Sequence, residues 1–189
     1  MNLYLVSGGA GSGKSAFAED MTARRFCTSG GRRVYLATMR AGADPETQKK
    51  IARHRAQRAG KGFHTVEKDR HLTQILPLIR PGDQILLEDL GNLLANERFS
   101  PSPRDEADVL ADVTALAAAA GETGSLTVVT DEVGCDGAAY ARETIDYIRR
   151  LGHLNAALAG VSRAVIRLVA GIPVVIKTEE EEGETECGH

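Results

Sequence analysis

The stretch Gly8-Gly9-Ala10-Gly11-Ser12-Gly13-Lys14-Ser15 constrains this chain more than any other. It satisfies in full the pattern of Gly, four residues, then Gly-Lys-Ser/Thr. An apolar run, Asn2-Leu3-Tyr4-Leu5-Val6, precedes it, and Ser15 to Met21 opens a helical pattern. Strand, glycine loop and helix is the arrangement in which backbone N–H groups turn inward onto phosphate oxygens, helped by the positive end of the helix dipole. Lys14 is placed to reach β- and γ-phosphates, and Ser15 to offer its hydroxyl to Mg²⁺. The expectation is a P-loop that binds a nucleoside triphosphate.

The bulk properties narrow the partners. At 189 residues the chain suits one domain with a proper core, and 42% hydrophobic with 26% charged residues is ordinary for a globular protein. A net charge of −3 gives no reason to expect nucleic acid or an anionic membrane surface. Cys27, Cys135 and Cys187 show no metal-like spacing and read as free thiols. No apolar run approaches the ~20 residues of a membrane span, and the first strand leaves no room for a signal peptide. The protein is expected in the cytoplasm. From Glu179 on, an acidic tail reads as disordered, so the domain is expected over residues 1–178 and the tail over 179–189.

Strands and helices alternate along the chain. A helix is expected from Lys14 to about Thr28, with Phe17, Ala18 and Met21 inward and Gly30-Gly31 ending it. Val34 to Thr38 is a strand whose carboxyl end is expected beside the P-loop, so that Thr38, Met39 and Arg40 line the site. Phe63 to Glu67 is a third strand, followed by a short helix from His71 to Ile79. Asp83 to Asp89 is an apolar strand ending in two acids, where a Mg²⁺ shell needs a carboxylate, and Glu88 and Asp89 both qualify. A helix from Arg104 to Ala120 is expected to turn Ala107, Leu110, Val113, Leu116 and Ala117 inward. A strand from Leu126 to Thr130 follows, ending at Asp131-Glu132. A helix from about Ala138 to Leu158 has Tyr140, Ile145, Ile148 and Leu151 as its core positions. Val165–Val169 and Pro173–Lys177, joined by Gly171 and Ile172, form a hairpin at an antiparallel edge. The class is α/β: a single P-loop NTPase-type domain with a mostly parallel sheet and helices on both faces.

One helix carries unusual chemistry. Asp44-Pro45-Glu46 is a strong start signal, and the helix is expected to run to about Arg58. It is basic, and Lys50, His54 and Arg58 at i, i+4 and i+8 share a face. A histidine between cations beside a triphosphate is a candidate nucleophile; the same spacing also suits a plain solvated basic face.

Here the chain resembles the bifunctional adenosylcobinamide kinase / adenosylcobinamide-phosphate guanylyltransferase family of cobalamin biosynthesis. The resemblance rests on Ser7 to Ser15, Tyr35-Leu36-Ala37-Thr38 and Lys50-Ile51-Ala52-Arg53-His54-Arg55-Ala56-Gln57-Arg58. It continues in Phe63 to Glu67, Leu86 to Gly91, Glu132-Val133-Gly134, Asn155 and Gly171-Ile172-Pro173. The P-loop is generic, whereas the histidine motif and the Glu-Val-Gly segment in this order are specific. The chain departs from the family pattern at Gly11, where arginine is usual, at Asp131, where asparagine is usual, and at Asp89 to Gly91, Cys135 to Ala139 and His153.

The resemblance implies that the protein phosphorylates adenosylcobinamide with ATP or GTP. It also implies GMP transfer from GTP through a GMP–histidine intermediate on His54, giving adenosylcobinamide-GDP and pyrophosphate. It assigns Lys14 and His54 catalytic roles. It places Thr38, Met39, Arg55, Arg58, Glu67 and Glu88 near the guanine nucleotide or its metal, with Ser15 and Glu88 holding Mg²⁺. It implies small-molecule corrinoid and nucleotide partners and a homo-oligomer, a trimer by family likeness. A neutral imidazole is a competent nucleophile at phosphorus, and the neighbouring cations keep it neutral. The alternatives are a relative with one half-reaction or another acceptor, and a non-catalytic nucleotide-binding module.

Overall fold

In the computed structural model, residues 1–29, 31–40, 48–49, 52, 60–134 and 137–178 are described. Seven strands among them form one sheet: β1 (Leu3–Gly8), β2 (Arg33–Ala37), β3 (Phe63–Glu67), β4 (Gln84–Glu88), β5 (Ser125–Asp131), β6 (Ala164–Val169) and β7 (Ile172–Thr178). Their order is β3-β2-β4-β5-β1-β6-β7, parallel throughout except for β7, which runs antiparallel to β6. The expected class, parallel sheet and edge hairpin are therefore present.

The sheet is covered unequally because strand side chains alternate between faces. Val6, Tyr35, Leu86, Val129 and Leu168 meet one helix, α1 (Lys14–Ser29), through Ala18, Phe17 and Met21. Leu5, Leu36, Leu87 and Val128 face the larger core. There they pack against α2 (Leu90–Arg98), α3 (Glu106–Ala120), α4 (Arg142–Val161) and a 3-10 segment, Leu72–Leu78. Asp105 caps α3 by accepting from the N–H groups of Ala107 and Asp108, and Asp108 bonds back to the Asp105 N–H. At the other end of the sheet, Gly31 sits so close to the Gly82 carbonyl oxygen that a Cβ would lie 1.8 Å from it.

Several expectations change. The carboxyl end of β2 does not lie beside the P-loop strand, since β4 and β5 stand between β2 and β1. The short helix expected after His71 is present as a 3-10 helix, Leu72–Leu78, with Pro77 inside it removing a backbone donor. The α2 helix had no sequence signal of its own, because Gly91 and two asparagines weaken its propensity; its start is set by Asp89 at the N-cap. The α4 helix begins at Arg142, later than the expected Ala138. Its buried positions are Leu151, Leu154 and Leu158, while Ile145 is 45% exposed. In α3, Val109 rather than Ala107 points inward. The hairpin turn is Ala170–Gly171, with φ of 49° and 82°, and Ile172 already pairs with Val169. Two left-handed residues match the twist of a two-residue hairpin.

Candidate active site

The P-loop joins the buried strand β1 to α1. Gly11 and Gly13 adopt φ of +72° and +89°, a region that side chains disfavour. Gly8 is required for a different reason: a Cβ there would meet Ser12 Oγ at 2.5 Å and the Leu168 carbonyl oxygen at 2.8 Å. The loop closes on itself through Ser12 N–H to Gly9 O at 3.1 Å. It is fastened to the edge hairpin by Gly171 N–H to Ser12 O at 3.0 Å. The helical ladder begins with Phe17 N–H to Gly13 O, so the N–H groups at the start of α1 face out of the helix end. Lys14, 8% exposed, donates to Gly9 O at 3.2 Å and forms an ion pair with Asp131.

Carboxylates converge on this loop from the ends of β4 and β5. Glu88 lies on the same face as Leu86, the face that α1 covers, and its Oε1 accepts from Ser15 Oγ at 2.6 Å. Its Oε2 is buried with no hydrogen-bond partner among the described residues. Burial pushes the Glu88 carboxyl up to about 7; Asp89 and Asp131 add to the rise, and Ser15 and Lys14 oppose it. Asp89 points the other way. It caps α2, accepting from Asn92 N at 2.7 Å and Asn92 Nδ2 at 2.8 Å. Of the two acids, Glu88 is therefore the one that faces Ser15. Next to Asp131, Glu132 is gripped by the Arg167 fork through two 2.8 Å bonds and accepts from Ser7 Oγ at 3.3 Å. A cleft of about 330 Å³ opens between loop residues 9–12 and Glu132, Arg167 and Ala170.

The donor set fits a nucleotide-bound Mg²⁺. A hydroxyl and a buried carboxylate with an unpaired oxygen are hard ligands, and this ion takes few protein ligands, the rest coming from phosphates and water. No group of three or more metal-binding side chains occurs among the described residues, and that mode of binding needs none.

The other residues singled out by sequence sit as follows. Thr38 is fully buried. Its N–H donates to Glu88 O at 3.0 Å, and its hydroxyl bridges the Asp89 N–H (2.9 Å) and the Asp89 carbonyl (2.7 Å). Asn96 Nδ2 reaches the Thr38 carbonyl at 2.8 Å. Thr38 thus fixes the passage from β4 into α2, directly behind Glu88. Met39 is half-buried, and Arg40 is exposed and bonds Asp69 at 2.6 Å, which holds the Asp69 carboxyl below its ordinary range. Glu67 is exposed at the end of β3, paired in register with Ala37. His54, Arg55 and Arg58 lie outside the described residues. No spacing in the sequence connects Asp131 to Lys14 or Arg167 to Glu132; the acids ending β5 are the available signal.

A mostly parallel sheet with this glycine loop, its lysine and an acid at the end of a non-adjacent strand defines an α/β P-loop nucleotide-binding protein. Residues 4–176 match the family model for cobinamide kinase / cobinamide phosphate guanyltransferase, and the chain belongs to that family of enzymes. It is 30% identical over 187 residues to the bifunctional adenosylcobalamin biosynthesis protein CobU of Escherichia coli K12, covering 93% of this chain and 99% of that one. It is 32% identical over 177 residues to the bifunctional adenosylcobalamin biosynthesis protein CobP of Pseudomonas aeruginosa, covering 93% and 97%. Among solved structures, the flagellar accessory protein FlaH from Methanocaldococcus jannaschii overlaps with a TM-score of 0.49 at 12% identity, over 94% of this chain and 78% of that one. A second solved structure, of an ATPase domain, gives 0.49 and 12%, over 88% and 68%. These last two similarities are too slight to bear on function.

Proposed function

We propose that this chain carries out both reactions named for its family, with adenosylcobinamide as the acceptor. In the first, the terminal hydroxyl of the aminopropanol arm attacks the γ-phosphorus of ATP or GTP, and the bond to the β,γ-bridging oxygen breaks. In the second, His54 attacks the α-phosphorus of GTP and pyrophosphate leaves. The acceptor phosphate then takes GMP from the histidine, giving adenosylcobinamide-GDP. The observation that carries this reading is the family match over residues 4–176, laid on a P-loop in which Lys14 and the Ser15–Glu88 pair are already assembled.

The residues supply what phosphoryl transfer needs, which is positioning and charge neutralisation. Loop N–H groups and the α1 N-terminus hold the phosphate oxygens, and Lys14 neutralises charge on the β- and γ-phosphates. Ser15 and Glu88 would hold Mg²⁺, which supplies further neutralisation of the transferred group. Thr38 keeps Glu88 in place through the backbone on either side of the Glu88–Asp89 peptide. For the second reaction, the support is the sequence motif around His54, with Lys50, Arg55 and Arg58 beside it. Covalent catalysis there splits one difficult transfer into two easier displacements.

A homo-oligomer and a cytoplasmic location are part of the same proposal. The edge strand β7 exposes Ile172, Val174, Val175 and Ile176 on both faces, and such an apolar edge invites burial. No helix among the described residues is long and apolar enough to cross a membrane. The central test is incubation with GTP labelled at the α-phosphate and Mg²⁺. An acid-labile protein adduct is expected in the wild type and not in His54→Ala. No wild-type adduct sinks the guanylyl half, and failure to phosphorylate adenosylcobinamide, with Lys14→Ala as control, sinks the acceptor assignment.

A further inference from the structure

The Lys14 ammonium is nearly buried, and its ionic partner is Asp131 at the carboxyl end of β5. Asp131 stands in register with Gly8, the first glycine of the loop, on the strand adjacent to β1. It follows Val129 on the face that α1 covers, the side from which Lys14 at the start of that helix reaches it. The neighbouring acids have other tasks. Glu88 accepts from Ser15, Asp89 caps α2, and both oxygens of Glu132 are held by Arg167. Among the described residues, Lys14 has one further acceptor, the Gly9 carbonyl.

This arrangement poses an electrostatic conflict. A polyphosphate brings several negative charges to the lysine of the loop, which a carboxylate already holds. An ammonium is a compact charge on a flexible stem, and it exchanges partners readily. A carboxylate left within a few ångströms of phosphate oxygens repels them strongly in a partly buried site. We infer that Asp131 is the resting partner of Lys14, that phosphate binds by displacing it from the ammonium, and that Asp131 thereby sets the nucleotide affinity of the loop. It is a positioning residue: it keeps Lys14 aimed across the cradle and lowers affinity for phosphate that arrives without a cation. The inference rests on the P-loop part of the proposed function and on neither half-reaction.

The test is Asp131→Asn, which keeps an oxygen to accept from Lys14 and removes only the charge. The dissociation constant of inorganic tripolyphosphate in EDTA is expected to fall at least ~10-fold, and that of Mg·ATP by ~3-fold or more, both by calorimetry; the loss of one like charge is well able to produce this. The nucleotide-free variant should melt below the wild type, yet gain a larger rise in Tm on adding tripolyphosphate. A residue with a merely structural role would lower affinity and stability together. If Asp131→Asn fails to fold, Asp131→Ser makes the same measurement. Binding equal to or weaker than wild type in the folded variant overturns the inference alone. If the wild type binds neither tripolyphosphate nor Mg·ATP nor Mg·GTP, the P-loop reading falls with it.

Discussion

Two clusters in this molecule are built from the same parts, one cation and a set of acids, and they serve opposite ends. Around Arg104, on the three-helix side, the guanidinium bonds Glu97 Oε1 at 2.9 Å and both oxygens of Asp112 at 2.9 Å. Those carboxylates also accept from the backbone N–H groups of His71 and Leu72, tying the 3-10 segment to α2 and α3. Hydrogen bonding to Asp112 outweighs burial and pushes the Arg104 pKa above its already high ordinary value. Around Lys14, on the α1 side, the ammonium meets one carboxylate and one carbonyl among the described residues, and Glu88 nearby accepts from the Ser15 hydroxyl. A planar fork with five fixed donors locks acids in place, whereas an ammonium can trade partners. The first cluster is scaffold. In the second, the cation has a single carboxylate partner among the described residues, which leaves it able to take up phosphate.

The largest expected effect separates the two by activity. Lys14→Ala should lower kcat/KM for phosphoryl transfer about 10³-fold, roughly 4 kcal/mol of transition-state stabilisation, with the circular dichroism spectrum unchanged. A loss under tenfold in a steady-state assay would mean that the Lys14 cluster is not the working one. Arg104→Leu should do the reverse. It leaves Glu97 and Asp112 without their cation and should cost about 3 kcal/mol in urea denaturation, in line with a broken buried pair. Nucleotide affinity, measured where the variant is still folded, should stay within twofold; a larger drop would blur the contrast.

The smallest effect concerns pH. The Glu88 carboxyl sits at about 7 in the folded chain against an ordinary value of 4.5, chiefly through burial. A raised folded value means that its contribution to stability is fully present below about 4.5 and is lost as pH rises through about 7. Nucleotide-free wild type should therefore lose stability relative to Glu88→Gln between pH 5 and 7.5, by at most about 3 kcal/mol. A flat difference in denaturation midpoints across that range would show that Glu88 is not desolvated in the way its position indicates.

Much of this was legible in the chain, for local reasons. Gly11 and Gly13 take backbone shapes that few other residues adopt, and Gly8 leaves no room for a side chain, so the loop's glycine spacing announced it. The apolar runs of β1, β4 and β5 read as buried parallel strands because both of their faces are covered. The choice between Glu88 and Asp89 was not legible. Leu86 and Leu87 are both buried, so alternation gives no sign of which face meets α1, and only the packed sheet shows Glu88 on that side. The α2 helix was hidden for a similar reason. Leu90-Gly91-Asn92 is a poor helix start by propensity, and what nucleates it is the Asp89 cap, held by Thr38, which follows β2 far earlier in the chain.

The amino-acid sequence alone determined the phosphate cradle, the strand-and-helix alternation and the family, because each follows from short-range spacing or from residues matched in order. Tertiary structure decided which acids meet at the loop. Glu88 and Asp131 reach Ser15 and Lys14 only because β5 is inserted between β1 and β4. That order is fixed by non-local strand pairing, which no local pattern of residues encodes.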